Sequence, residues 1–179
     1  MKKLVYLAMC LAIFATITSA QTARVGKVGL GIDGVTSPNL AAKYFFTNEI
    51  AGELIVGTDM YFPGGDAPTG QTKVTGTDIW GGLSVLYHFT ESDFTPYLGV
   101  EGLFETAKTG GFYVTEPDAK NSVTANIVFG GEYFFAKQFS VGVKEKVGMN
   151  FQLSRDIPKE ETESYLKTGT QLTARFYFN

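Results

Sequence analysis

The chain has 179 residues, with 15 basic and 18 acidic side chains, a net charge of −3, 21 glycines, six prolines and 14 % aromatics. The length suits one domain, the slightly acidic balance offers no basic face for nucleic acid, and a single cysteine excludes a disulfide scaffold. Glycine, threonine and aromatics in these proportions make a β composition.

Met1 to Ala20 reads as a secretory signal that is cleaved. Lys2 and Lys3 precede an apolar run from Leu4 to Ile17 and a small-residue end, Thr18-Ser19-Ala20. Cys10 follows Met9, where a lipid-anchor site needs a small residue, so it is expected to leave with the signal. The mature domain is then 21–179, and loss of the two signal lysines takes its charge to −5. No later uncharged apolar stretch approaches the ~18 residues of a spanning helix, so any membrane role falls to strands.

Alternation of apolar and polar residues predicts eight strands in chain order. The first, 25–33, sets Val28, Leu30 and Ile32 on one face and Lys27, Gly29, Gly31 and Asp33 on the other. Gly34 to Asn39, with Pro38, is a loop. The second, 40–46, sets Leu40, Ala42, Tyr44 and Phe46 against Ala41, Lys43 and Phe45, and the third, 49–61, sets Ile50, Leu54, Val56 and Met60 against Ala51, Glu53, Ile55 and Asp59. A polar loop over 62–76 leads to the fourth, 77–89, whose inner set is Trp80, Gly82, Ser84, Leu86 and His88. A turn over 90–95 leads to the fifth, 97–106, with Tyr97, Glu101, Leu103 and Glu105 inside. Residues 107–121 are a loop, and the sixth strand, 122–135, turns Asn126, Val128, Glu132 and Phe134 inward. The seventh, 139–153, carries Lys144 and Lys146 on its polar face and therefore turns Glu145 outward. A charged loop over 154–164 precedes the eighth, 165–178, with Lys167, Gln171, Arg175 and Tyr177 inside.

Short turns after 46, 89 and 135 alternate with longer loops after 33, 61, 106 and 153, the asymmetry of an outer-membrane barrel with its short turns in the periplasm. Pairing the first strand with the last abolishes both free edges. The expected fold is therefore all-β: a closed eight-stranded antiparallel up-and-down transmembrane β-barrel, with a periplasmic N-terminus and loops 62–76, 107–121 and 154–164 outside.

A repeat supports this. Tyr44-Phe45-Phe46, Tyr87-His88-Phe89, Tyr133-Phe134-Phe135 and Phe176-Tyr177-Phe178 end their strands, and in each the flanking aromatics share a face. Tyr44, Phe46, Tyr87, Phe89, Tyr133, Phe135, Phe176 and Phe178 form a periplasmic girdle at one membrane interface.

The opposite face carries six positive and six negative groups: Lys27, Lys43, Lys144, Lys146, Lys167 and Arg175 against Asp33, Glu53, Asp59, Glu101, Glu105 and Glu132. Balance is what a closed lumen requires, because an unpaired buried charge costs several kcal/mol. Lys43, Glu53, Glu101, Glu132, Lys144 and Arg175 are the expected lumen charge network. Counting three residues back from each terminal aromatic puts Lys43, Leu86, Glu132 and Arg175 in one slice. Glu132 then lies between the two cations, with Arg175 as its expected bidentate partner and Glu101 or Glu53 balancing Lys43.

Lys43-Tyr44-Phe45-Phe46-Thr47-Asn48, and Tyr87-His88-Phe89 followed by Pro96-Tyr97-Leu98-Gly99-Val100, are similar to the periplasmic turns of small eight-stranded outer-membrane barrels of the OmpA transmembrane-domain and OmpX type. The second also resembles OmpW-like barrels. The last strand resembles the carboxy-terminal signal read by the outer-membrane insertion machinery, departing from it by Asn179 after Phe178. The resemblance implies the outer membrane of a Gram-negative cell, with its lipids and that machinery as partners; it specifies architecture, not activity.

Candidate chemistry is sparse. His88, the one histidine, stands two residues before Thr90 and faintly resembles the His-x-Ser of outer-membrane lipid A deacylases, but it falls at the periplasmic end, away from acyl chains in the outer leaflet. Asp59, Asp66 and Asp78 flank one loop, where acidic residues usually just solvate it, and Arg155-Asp156 through Glu163 reads first as a solvated acidic loop, with a cation- or partner-binding site as the alternative. No catalytic residue, metal site or cofactor is expected. Two function classes remain. One is a structural or surface-interaction barrel with a plugged lumen, whose loops meet an extracellular ligand. The other is a narrow, porin-like transport pore for small or apolar solutes. Trp80, Leu86, Leu103 and Phe134 fill an interior that eight strands leave narrow, which favours the first.

Overall fold

Period-two alternation with one charged face leaves the chain a single way to hide both its backbone edges and its charges, and the fold follows it. The computed structural model describes residues 24–34, 38–108, 110–113, 119–153 and 164–178. Ten strands are formed: β1 (Val28–Asp33), β2 (Asn39–Phe45), β3 (Ile50–Tyr61), β4 (Thr72–Val74), β5 (Gly76–His88), β6 (Phe94–Lys108), β7 (Gly111–Tyr113), β8 (Ala119–Ala136), β9 (Phe139–Gln152) and β10 (Ser164–Phe178). Eight of them close an antiparallel barrel in the order β1-β10-β9-β8-β6-β5-β3-β2. The seam runs from Val28↔Phe178 to Asp33↔Thr173. The signal segment 1–20, most of the acidic loop (154–163) and Asn179 lie outside the described residues.

The faces follow the expected alternation. Leu54, Val56, Leu83, Val85, Leu98, Val100, Ile127 and Phe129 are exposed on the outer wall, while Lys43, Phe45, Glu53, Ile55, Ser84, Leu86, Val128 and Tyr177 are buried inside. Aromatics fit inside because glycines face them: a Cβ on Gly29 would collide with the Tyr177 ring, and one on Gly130 with Tyr97. On the outside the girdle pairs pack edge-on within each strand end, at centroid distances of 5.1 Å for Tyr44–Phe46, 5.4 Å for Tyr87–Phe89, 4.8 Å for Tyr133–Phe135 and 5.1 Å for Phe176–Phe178. Phe135 sits at a bulge, where the β8–β9 register shifts between Phe134 and Ala136.

The loop expectations need correction in three places. Residues 62–76 and 107–121 contain strand: β4 and β7 pair with each other through Thr72↔Tyr113, Lys73↔Phe112 and Val74↔Gly111, joining two outer loops. That pairing requires the backbones at Gly76 and Gly110 to touch, closer than any Cβ would allow. β6 begins at Phe94 rather than 97, because Thr95 and Pro96 continue the ladder opposite Glu132 and Gly131; proline is tolerated so near a strand end. β1 and β2, of six and seven residues, pair outward only to Asp33 and Asn39, whereas β10 begins at Ser164 and β3 runs to Tyr61. The barrel wall is therefore lowest at the β1–β2 hairpin.

The three short turns are gathered by the segment before β1. The Arg24 backbone N–H donates to Asn48 Oδ1 (2.9 Å), its guanidinium to Thr90 O (3.1 Å) and Ser92 O (2.9 Å), and Lys27 Nζ reaches Lys137 O (3.4 Å). Burial pulls the Arg24 guanidinium below its usual range, and the Glu132 carboxylate opposes the shift.

Glu145 points to the lipid side, half-buried, and its Oε2 accepts a hydrogen bond from Thr170 Oγ1 at 2.8 Å. Six residues separate it from Phe139, about 20 Å along the strand and roughly 15 Å along the membrane normal at the usual tilt, in the outer half of the apolar band. An acidic residue there costs less than the ~2–4 kcal/mol of a basic one, but it still costs. Glu145→Leu should therefore raise the urea midpoint of the refolded barrel; a lower midpoint would show that the Glu145–Thr170 pair stabilises the wall. Orientation is checked separately: an epitope inserted at 66–70 should be detected on intact cells and one at 90–93 only after permeabilisation, and the reverse pattern would invert the topology.

Candidate functional site

Inside the barrel the strands aim charge at charge. Asp33 (β1), Lys43 (β2), Glu53 (β3), Glu132 (β8), Lys144 (β9) and Arg175 (β10) meet in one cluster, each side chain at most 1 % exposed. Lys144 Nζ donates to Asp33 Oδ2 (2.7 Å) and Glu53 Oε1 (2.6 Å). Arg175 Nη2 lies within hydrogen-bonding distance of both Asp33 oxygens (2.7 and 2.9 Å) and Glu53 Oε1 (3.0 Å). Lys43 Nζ donates to Glu132 Oε2 (2.9 Å), and Glu132 Oε1 accepts from Ser140 Oγ and from Tyr177 Oη (2.6 Å). Three cations thus face three carboxylates in a space from which water is excluded.

Glu101 belongs to a second cluster further out, where it takes both Lys146 Nζ contacts (2.8 and 2.9 Å), Asn126 Nδ2 (2.9 Å) and Ser84 Oγ (3.2 Å). These four lie on β6, β9, β8 and β5, so the two clusters together draw on every barrel strand.

Two partner choices differ from the expectation. Arg175 is not the hydrogen-bonded partner of Glu132, from which its Nη1 stands 3.9 Å away; that partner is Lys43. Nor does Glu53 or Glu101 balance Lys43, although Glu53 sits directly opposite it in the β2–β3 register. The reason is stagger. Arg175 pairs with Gly31, which leaves Asp33, two residues along β1, as its diagonal neighbour and draws the guanidinium outward. Asp33, Lys146 and Tyr177 were on the expected inner face but outside the expected network. Tyr177 had a signal, since it is the central residue of the terminal aromatic repeat.

Below this cluster the bore is filled. Phe45, Ala51, Phe134 and Tyr177 form one apolar group and Leu86, Tyr97 and Val128 another. His88 is fully buried between Phe45 and Tyr97, with its Nδ1 3.2 Å from Glu49 O and its Nε2 4.0 Å from Glu132 Oε2. Thr90 is exposed and bonded instead to Ser92 and the Phe94 carbonyl. Arg24 closes the periplasmic mouth with its guanidinium 4.7 Å from the Phe134 ring centroid.

Above the cluster the bore is open. A cavity of about 320 Å³ is lined by Asn39, Asp59, Asp78, Trp80, Leu103 and Glu105, among others. Asp66 is exposed in the loop and does not reach it, and the acidic stretch 155–163 lies outside the described residues. Among the described residues no His, Cys, Asp or Glu group has the geometry to hold a metal ion.

The partner assignment is testable by a double-mutant cycle. Glu132→Gln leaves Lys43 buried without its counter-charge, a loss of ~3–5 kcal/mol. Lys43→Met should restore part of this in the double mutant, with a coupling of roughly 0.5–3 kcal/mol. Arg175→Met should restore less, because Asp33 and Glu53 would then share Lys144 as their one remaining cation. Additivity of Glu132→Gln and Lys43→Met in urea unfolding would show that the two groups do not meet.

Comparison with known proteins bears on the whole barrel. Among solved structures, the N-terminal β-barrel domain of Pseudomonas aeruginosa OprF is similar at 17 % identity and a TM-score of 0.56, over 88 % of this chain and all of that one. Neisserial surface protein A (17 %, TM-score 0.49, 84 % of this chain and 92 % of that) and the attachment invasion locus protein Ail of Yersinia pestis (14 %, TM-score 0.44, 86 % and 99 %) also align. At these identities OprF supports the fold alone. A comparison with curated proteins gave no match. The sequence model of the OmpW family matches residues 9–164, and over that span, well beyond half its length, this chain is a member of the OmpW family of outer-membrane β-barrels.

Proposed function

We propose that this protein is a non-conducting outer-membrane barrel whose working surface is its extracellular end. The observation that supports this most is the cluster of Asp33, Lys43, Glu53, Glu132, Lys144 and Arg175, which crosses the bore from six strands with every charge matched and every side chain buried. A hydrated ion would have to displace these contacts and then pass Leu86, Tyr97, Phe45 and Phe134. The network locks the strand register, because each carboxylate is served by residues of other strands. The loops and the open upper bore remain for contact with the outside.

A second reading, transport of small or apolar solutes, has one observation on its side. The upper bore is an outward-open cavity with Trp80, Leu103 and Ile55 in its lining, and it meets the low wall at Asn39. A lipid-modifying role draws no comparable support: His88 is sealed at the periplasmic end with no serine or threonine hydroxyl among its hydrogen-bond partners.

Single-channel recording in planar bilayers separates the two main readings. The barrel should give no discrete conductance steps in 1 M KCl, while Glu132→Gln, if it still inserts, should introduce flickering ones. Steady conductance from the unaltered protein would favour the pore.

A further inference from the structure

The open upper bore holds two buried amides whose orientation is forced by their neighbours. Asn39, on β2, is 4 % exposed and lines the cavity. Trp80 Nε1 can only donate, so the Asn39 oxygen accepts at 2.6 Å, and its Nδ2 is left with no hydrogen-bond partner among the described residues. Asn126, on β8, is 7 % exposed and held the opposite way round. The Glu101 carboxylate, clasped by the Lys146 ammonium, accepts from Asn126 Nδ2 at 2.9 Å, so here the oxygen has no partner among the described residues. Thr124, on the same face of β8 and 2 % exposed, accepts from Asn150 Nδ2 at 2.7 Å and keeps its own hydroxyl proton to donate. β2 and β8 are four strands apart in either direction round the barrel. A buried donor and a buried acceptor therefore serve one cavity from opposite walls.

Between them lies an apolar platform. Gly57 has no side chain, and a Cβ there would collide with the Trp80 indole and the Asn39 oxygen, so the ring lies against the β3 backbone with its plane fixed by the bond to Asn39. Leu103 and Ile55 continue the surface. The charged groups of the lining are of both signs: Asp59, Asp78 and Glu105 with Lys146 and Lys167, and Lys108 beside Asp59 and Asp78 in the adjoining cleft. Lys146 meets Glu101, and Lys167 comes within 3.6 Å of Glu105. Nothing in this mixture calls for a guest with net charge.

A guest that satisfies the site is small, neutral, apolar on one face, and carries donors and acceptors around its whole perimeter. A hydroxyl is both donor and acceptor. A flat heteroaromatic base presents its polar groups along an edge and would leave one wall unserved. We propose that the upper bore binds a single neutral monosaccharide ring. Its C–H face lies on Trp80 and Leu103, one hydroxyl accepts from Asn39 Nδ2, and others on the far side of the ring donate to Asn126 Oδ1 and accept from Thr124. A volume of about 320 Å³ suits one ring and stands at the small end of ligand pockets. The site rests on the reading of the bore as closed below, which makes the cavity a terminus and not a stage of a channel.

Trp80 is the chain's one tryptophan, so its fluorescence reports this cavity alone. The probes are the methyl glycosides of glucose, galactose and mannose, titrated into the refolded barrel in a sugar-free polyoxyethylene detergent, with tetrahydropyran-2-methanol as the ring stripped of its other hydroxyls. The expected result is a saturable change in Trp80 emission with at least one glycoside, unaltered between ~0.05 and about 1 M KCl because the guest is neutral, and binding of the stripped ring weaker by roughly tenfold or more. Asn39→Asp keeps the acceptor for Trp80 and removes the donor to the guest, so it should weaken the glycoside roughly tenfold. Monodeoxy analogues separate this from a damaged fold. The analogue lacking the hydroxyl that meets Asn39 should lose affinity for the native barrel and none further for the variant. A trisaccharide ending in the same ring distinguishes sources: equal affinity identifies the terminus of a glycan, and a loss of about tenfold the free sugar. No saturable change with any glycoside, equal binding of the stripped ring, loss of binding in salt, or additive losses for every deoxy analogue would each overturn the proposal. The bilayer recording fails or succeeds independently: a barrel that conducts steadily yet binds the glycoside contradicts the closed bore and leaves the site standing.

Discussion

Three cations and three carboxylates neutralise one another in the middle of this barrel, and the rest of the structure depends on that. A strand that supplied Arg175 without Asp33 and Glu53 to meet it would bury an uncompensated charge, at a cost larger than the outer wall could absorb. A one-residue slip in any of the six strands would turn a charge toward lipid and strand its partners. Register, closure and lumen composition are therefore one constraint. The apolar outer wall tolerates many sequences; the inner face does not.

The same constraint divides the barrel into unlike halves. Below the cluster, Phe45, Phe134, Tyr177 and Arg24 pack the periplasmic end solid, and residues before β1 tie the three short turns together. Above it Asp59, Asp78 and Glu105 line an open cavity with Lys146 and Lys167, the last within 3.6 Å of Glu105, and the wall drops at the β1–β2 hairpin. Charge is matched contact by contact where water is excluded, as desolvation costs require.

Much of this was legible in the alternation itself. Period two assigns faces without reference to the fold, so the outward set, the girdle and the inward charges follow from the residues alone. Partners are a different matter. Arg175 meets Asp33, not Glu132, because stagger between β1 and β10 decides which side chains share a height, and no turn count carries that. Pairing of β4 with β7 was hidden for a related reason: two three-residue strands from separate loops leave no periodic signal. The resemblance to small outer-membrane barrels was carried by the aromatic turn segments, and the family match spans residues 9–164.

Whether the bore is closed can be asked from outside the cell. Cys10 is the chain's one cysteine, so with that position changed to alanine each introduced thiol reports alone. Ala51, fully buried among Phe45, Phe134 and Tyr177, lies below the charge cluster, and Leu103 lies in the cavity above it. On intact cells a membrane-impermeant maleimide should label Leu103→Cys and leave Ala51→Cys unreacted until the protein is denatured. Labelling of Ala51→Cys from outside at a comparable rate would mean that the charges of the lumen do not seal it.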